Sequence, residues 1–258
     1  MPTSRSYGDA CSIARALDVV GERWALLIVR ELLLGPQRFS DLRRALPKAS
    51  SNLIADRLRE LDGHGVIHRR RLPPPAASWV YELTDWGREL EPILLTLGGW
   101  GMRVPQPPPP VSLSPTSVLL FLRGSVRPSG PPATYRLELG DQTWTVQTAA
   151  DQVQISPGEP AFADASLRTD PVTLNALLSA RAATAARTTT PDTNLTTPDT
   201  PADTTHATTT PDTPAGTTLD AALANGTAIA TSDIQALRRL LQSAAQPSAP
   251  PPAPAPPA

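Results

Sequence analysis

The chain has 258 residues, enough for two ordinary domains. Its 23 Lys and Arg against 24 Asp and Glu leave a net charge of −1, which excludes a uniformly basic nucleic-acid coat. Residues 1–104 carry 15 basic and 12 acidic side chains and residues 105–258 carry 8 and 12, so a polyanionic partner belongs to the first part.

The only cysteine, Cys11, excludes an internal disulfide framework and a multi-cysteine zinc site. Neither a signal peptide nor an apolar run near the roughly 20 residues of a membrane span is visible, so a cytoplasmic protein with no membrane partner is expected. Proline, at 31 residues, clusters at 105–110, 191–214 and 247–257. These clusters predict a first domain over 1–104, a Pro-rich linker over 105–114, a second domain over 115–246 and a disordered Pro/Ala tail over 247–258.

Apolar residues at helical spacing predict two helices, one over 11–20 (Ile13, Ala14, Leu17, Val20) and one over 24–34 (Leu27, Ile28, Leu32). Gly35-Pro36 ends the second. A short helix over 39–46 is closed by Pro47, and Ser50 is placed to cap the next, whose Leu53, Ile54, Leu58 and Leu61 share a face before Gly63 or Gly65 stops it. Val66 to Leu72, a tip at Pro73–Pro75 and Trp79 to Leu83 read as a β-hairpin. Thr84 then caps a last helix carrying Leu90, Ile93, Leu94, Leu97 and Trp100. A short helix, a tight turn, a second helix and a basic hairpin make a helix-turn-helix with a wing.

Beyond the linker, the apolar run 117–122 and the segments 134–139, 142–147 and 152–155 predict a meander, with turns at Gly140-Asp141 and 149–151. Asp170-Pro171 introduces a helix through Val172, Leu174, Leu177 and Leu178, and residues 234–241 form another. The predicted fold class is therefore α+β, an N-terminal winged helix-turn-helix domain followed by a C-terminal α+β domain. Residues 184–218 hold 16 threonines and 5 prolines, with Thr-Thr-Pro-Asp-Thr starting at 189, 196 and 209, and predict a disordered insertion that acts as a plain tether or neutral insertion, the alternative being a partner-docking tract.

Residues 11–103 resemble the HxlR-type winged-helix transcriptional regulators, relatives of the MarR group. The likeness runs in order through Cys11-Ser12-Ile13-Ala14-Arg15-Ala16-Leu17, Val20-Gly21-Glu22-Arg23-Trp24, Gly35-Pro36-Gln37-Arg38-Phe39-Ser40-Asp41-Leu42, Arg57-Leu58-Arg59-Glu60-Leu61 and Tyr81-Glu82-Leu83-Thr84-Asp85-Trp86-Gly87. Lys48-Ala49 departs from the family's usual Gly-Ile before the capping serine, and Ser12 from its usual proline. Residues 115–244 resemble the sterol-carrier-protein type of lipid-binding domain, through Tyr135-Arg136-Leu137-Glu138-Leu139-Gly140-Asp141, Gly158-Glu159-Pro160-Ala161 and Thr169-Asp170-Pro171-Val172, and again through Asp220 to Gly226 and Asp233 to Leu237. That likeness implies an apolar tunnel and a small apolar ligand, or else a closed dimerisation domain.

A helix-turn-helix offers the first turns of its second helix to base edges, so Ser50, Ser51, Asn52, Ala55 and Asp56 are the candidates for readout. Asn52 stands out because its amide can pair bidentately with adenine; the alternative is a solvated helix residue. Arg57 and Arg59 face either phosphate or neighbouring acids. Arg69, Arg70 and Arg71 on the wing suit phosphates or the minor groove, with Arg69 and Arg71 on one face and Arg70 on the other. Arg38, Arg43, Arg44 and Lys48 can add backbone contacts, whereas His64 and His68 read as wing-base residues. Cys11 at a helix start, with Arg15 one turn on, is a possible redox sensor or a small buried packing residue.

No phosphate loop, paired metal ligands or nucleophile elbow is present, so no enzyme activity, no metal and no cofactor are expected. Asp164 and Asp170 read as turn and cap residues. The sequence thus predicts a dimeric transcriptional regulator, a repressor, bound to double-stranded DNA at an inverted-repeat operator. The resemblance to the HxlR-type regulators implies that the homodimer forms through the helix over 11–20 and the helix ending near Trp100. The competing reading is a lipid or small-molecule carrier whose winged helix is a protein-interaction module.

Overall fold

The structure is a computed structural model that describes residues 6–187 and 218–243, except positions 103, 106, 109, 110, 129 and 151. Its first half runs α1 (Ser12–Val20), α2 (Ala25–Leu32), α3 (Phe39–Ala45), α4 (Ser51–Gly63), β1 (Ile67–Arg71), β2 (Trp79–Leu83), α5 (Asp85–Arg88) and α6 (Leu90–Gly101). The apolar spacing explains the packing: α2 buries Ala25, Ile28, Val29 and Leu32, α3 buries Leu42, and α4 buries Ile54, Leu58 and Leu61. The Ser50 hydroxyl accepts from the Leu53 amide at 3.3 Å, capping α4 where the sequence placed the cap.

The hairpin pairs Ile67 with Leu83, Arg69 with Tyr81 and Arg71 with Trp79. Its base is tied down by Thr84, whose hydroxyl donates to the Gly65 carbonyl at 2.7 Å and accepts from the Gly87 amide at 3.0 Å. Gly87 is required there, because a Cβ would lie 2.0 Å from the Val66 carbonyl oxygen. The single helix expected after Thr84 is instead two, broken at Glu89. Pro92, lacking an N–H, is accommodated in the first turn of the new helix, where amides have no intrahelical partner.

The second half contains α7 (Pro115–Ser125), β3 (Ala133–Leu139), β4 (Gln142–Ala149), β5 (Gln152–Pro157), β6 (Ala165–Thr169), α8 (Pro171–Arg187), α9 (Leu219–Ala224), β7 (Ala228–Ser232) and α10 (Ile234–Gln242). The run 117–122, expected in the meander, is helical. Ser114 caps it by accepting from the Ser117 amide at 3.1 Å, Pro115 opens it, and Val118, Leu119, Leu120 and Leu122 are all buried, so no period betrays its type.

One sheet has the strand order β5-β4-β3-β6-β7. The meander holds for β3, β4 and β5, whereas β6 lies parallel to β3 and β7 pairs antiparallel to β6. Its inner face, Leu137, Leu139, Trp144, Val146 and Leu167, is at most 2% exposed beneath the helices. The mixed α+β architecture is as expected. The Thr/Pro-rich insertion lies outside the described residues, apart from its first four positions, which end α8, and Thr218, which caps α9. The tail over 247–258 is likewise outside them.

The halves meet through α7, which packs on α2 and α6. The Ser114 hydroxyl donates to Glu31 Oε1 at 2.8 Å, Arg123 pairs with Glu91, and Arg44 of α3 reaches Asp141 in the β3–β4 turn at 2.8 Å.

Candidate nucleic-acid interface

On α4 the side chains divide by function. Asn52 and Arg59 are exposed, Ser51, Ala55 and Asp56 are half-buried, and Ser50, although exposed, has its hydroxyl committed to the cap. Arg57 is turned inward: its side chain is 14% exposed, pairs with Glu60 and reaches Glu22 at 3.7 Å. Of the two readings for Arg57, the structure shows the ion pair with neighbouring acids. Arg59 likewise pairs with Asp56 one turn back, which leaves Asn52 as the exposed amide on the first turns of the helix.

The wing handles its three arginines on two faces, as strand alternation requires. Arg70 points to the side of Glu82 and pairs with it, and Arg88 reaches the other oxygen of Glu82 at 3.2 Å. These guanidiniums hold the Glu82 carboxyl below its usual 4.5, Arg70 contributing most. Arg69 lies on the opposite face, 4.5 Å above the Trp79 ring and 6.0 Å from that of Tyr81. An aromatic face orients a guanidinium without neutralising it, so the charge stays available to a phosphate. Arg71 donates only to the Ala77 carbonyl, at 3.3 Å.

Around the turn between α3 and α4, Arg38, Arg43 and Lys48 are exposed and make no ion pair with a described residue. Arg44 differs, since it is shared between Asp41 at 3.5 Å and Asp141 at 2.8 Å. His64 is exposed at the end of α4, and His68 lies 3.9 Å from Glu82 at the wing base. Sequence reasoning missed the Trp79 platform and the Glu82 clamp. Both follow from strand register, which places Trp79 opposite Arg71 and Glu82 opposite His68.

Cys11 occupies the N-cap of α1 and is exposed, which removes the buried packing alternative. Its thiol is held below the ordinary 9.0 by the amides of Ala14 and Ile13. The expected help from the Arg15 guanidinium is absent from those causes; the open helix terminus itself supplies the effect. Asp164 and Asp170 do cap backbone: Asp164 accepts from the Thr134 amide at 2.7 Å, and Asp170 from the Val172 and Thr173 amides at 2.9 Å each. Among the described residues, no group of three or more His, Cys, Asp or Glu could hold a metal ion, and no helix is long and apolar enough to cross a membrane.

A helix-turn-helix with an arginine-bearing wing defines the class, a winged-helix DNA-binding protein. The HxlR-like helix-turn-helix family matches residues 19–108. YvaP of Bacillus subtilis (strain 168), an HTH-type transcriptional regulator, is 42% identical over 86 residues, covering 33% of this chain and 80% of YvaP. YdeP of the same organism, also an HTH-type transcriptional regulator, is 35% identical over 96 residues, 36% of this chain and 73% of its own length. A solved structure of the redox regulator HypR in its oxidised form is 33% identical and covers 38% of this chain and all of that one, with a TM-score of 0.35. The chain belongs to the HxlR-like helix-turn-helix family of transcriptional regulators.

Proposed function

We propose that the protein is a homodimeric repressor that occupies an inverted-repeat operator, reading bases with Asn52 and gripping flanking phosphates with Arg69 and Arg71. The observation that carries this reading is the pairing of an exposed amide on the first turn of a capped α4 with two unneutralised guanidiniums on one wing face. Arg38, Arg43 and Lys48 add phosphate contacts beside the turn. Ser51 and Asp56 flank Asn52 on the same helix, whereas Ser50, Arg57 and Arg70 serve the architecture of the reading head.

Dimerisation is supported by surfaces that a monomer leaves wet. On α1, Ile13 is 70% exposed; on α6, which buries no residue, Ile93 is 57% and Trp100 61% exposed. Such apolar side chains on two helices suit a self-complementary interface. In the dimer, two α4 helices about 34 Å apart would enter successive major grooves, and a protein seated there blocks access to the promoter. The packed inner face of the sheet favours a closed C-terminal unit over an apolar tunnel, which also removes the main support for a carrier.

The test is a gel-shift titration against the DNA upstream of the protein's own gene at two salt concentrations. Selective binding that weakens by roughly 10³–10⁵ between 50 and 200 mM salt is expected for a dimer neutralising about 6–10 phosphates. Equal affinity for operator and scrambled DNA at low salt would defeat the proposal. Under the repressor reading, a promoter–reporter fusion rises when the gene is deleted.

A further inference from the structure

Between α1 and α2 the chain makes a tight turn, closed by a hydrogen bond from the Ala25 amide to the Glu22 carbonyl at 3.0 Å. Trp24, in that turn, has φ 80° and ψ −15°, the left-handed backbone that glycine usually supplies there. A bulky side chain in that region persists only where its surroundings hold it, and such outliers cluster at functional sites. Here the half-buried Trp24 ring packs against the hydrophobic core, and the Arg23 guanidinium lies 5.4 Å from its centroid. Arg23 is exposed and makes no ion pair with a described residue. The acid beside it in the chain, Glu22, reaches instead toward Arg57 of α4, at 3.7 Å. That contact, with the packing of α1 and α2 on α4, sets the turn alongside α4. Arg23 on Trp24 thus repeats the arrangement of Arg69 on Trp79, a guanidinium oriented by an aromatic face and left with its charge.

We propose that Arg23 is a second phosphate anchor for double-stranded DNA, gripping the backbone beside α4 at a point separate from the wing. The guanidinium offers a planar fork of donors that matches two phosphate oxygens, and the ring beneath restricts it without consuming its charge. The closed turn and the core-packed ring hold the anchor in place before DNA arrives, which lowers the ordering cost of binding. The α1–α2 turn and β1 of the wing are different elements flanking α4, so each meets its own stretch of backbone. The assignment rests on the DNA-binding reading above for its partner. It does not rest on operator selectivity, because a phosphate contact carries no sequence information.

Fluorescence anisotropy titrations of the full chain on a short scrambled duplex, at several salt concentrations, test it with Arg23→Ala and Arg23→Lys. Arg23→Ala should flatten the salt slope by about 1 per chain, about 2 for a dimer, and weaken binding at low salt by about ten-fold or more. Arg23→Lys keeps the charge and should keep the slope. A role confined to covering Trp24 would leave the slope unchanged in both variants. Urea unfolding checks that the variants are folded, and Arg23→Glu at the same exposed position gives a larger loss where a second variant is needed. On operator DNA, phosphate ethylation interference should lose a contact in Arg23→Ala that persists in Arg69→Ala/Arg71→Ala.

An unchanged slope in folded Arg23→Ala overturns the assignment and leaves the regulator reading intact. Loss of the same phosphates in Arg23→Ala and in the wing variant overturns the separate grip. A wild-type chain that binds neither duplex defeats both readings. One that binds scrambled and operator DNA equally, with a slope that Arg23→Ala still flattens, defeats the operator reading while the anchor stands.

Discussion

The recognition helix and the wing are both rich in arginine, yet they dispose of its charge in opposite ways. On α4, Arg57 and Arg59 are neutralised by acids one turn away, Glu60 and Asp56. On the wing, only Arg70 is paired. The cause is the geometry of the elements. Residues three apart share a helix face, so a helix can quench its own charge. A two-stranded ribbon depends on cross-strand neighbours, and those opposite Arg69 and Arg71 are Tyr81 and Trp79, which carry no charge. A basic count therefore misstates how much charge is unpaired, and the wing leaves more of it so than the helix does.

The sharpest way to break this comparison is the double variant Arg69→Ala/Arg71→Ala. It removes up to four guanidinium–phosphate pairs from a dimer, so operator affinity should fall by about two orders of magnitude or more, and the salt slope should flatten by roughly 3–4. An unchanged slope would return the phosphate grip to the helix. Asn52→Ala comes next: gel shifts on operator variants should show a loss of about 1–3 kcal/mol confined to one base position, with the salt slope kept.

Arg57→Ala should act on the fold instead. Its partners Glu22 and Glu60 lose a mostly buried cation, so urea unfolding should show about 1–3 kcal/mol of destabilisation, while the salt slope of DNA binding stays. Glu82→Gln gives the smallest effect and carries a pH signature. Because Arg70 and Arg88 depress the Glu82 pKa in the folded state, its stabilisation is fully present above the unfolded value near 4.5 and is lost as pH falls through the lower folded value. The difference in melting temperature between wild type and variant should therefore shrink from pH 6 toward pH 3, and a difference independent of pH would remove the clamp.

Much of the helix-turn-helix and its wing was legible in the sequence. Alternation told that Arg69 and Arg71 share a face and that Arg70 does not, and Ser50 was recognisable as a cap because a hydroxyl preceded an apolar helical repeat. The destination of each guanidinium was less accessible. Arg57 could face phosphate or acid, and only the approach of Glu22 from outside α4, beside Glu60, settled it. Arg44, offered as a phosphate contact, is held by Asp141, 97 residues away, a partner that no local pattern announces.

In the second half, local patterning found β3 to β5 and α10 but took the run 117–122 for a strand, since residues buried on every side have no period. The strands β6 and β7 were missed altogether because neither belongs to a local hairpin: β6 pairs in parallel with the distant β3, and β7 returns to β6 only after α8 and the Thr/Pro-rich insertion.

By itself, then, the sequence determined what short-range chemistry can fix: the helix-turn-helix and its cap, the faces of the wing, and the family. The tertiary structure decided what depends on contacts between distant residues. Those are the parallel pairing of β6 with β3, which of the arginines on α4 and the wing are left without an ion pair, and the acidic cavity at the junction of the halves, lined by Glu31, Asp41 and Asp141. The physical reason is that hydrogen-bond ladders and caps act over a few residues, whereas an ion pair or a cavity wall is assembled only when packing brings together groups the chain keeps far apart.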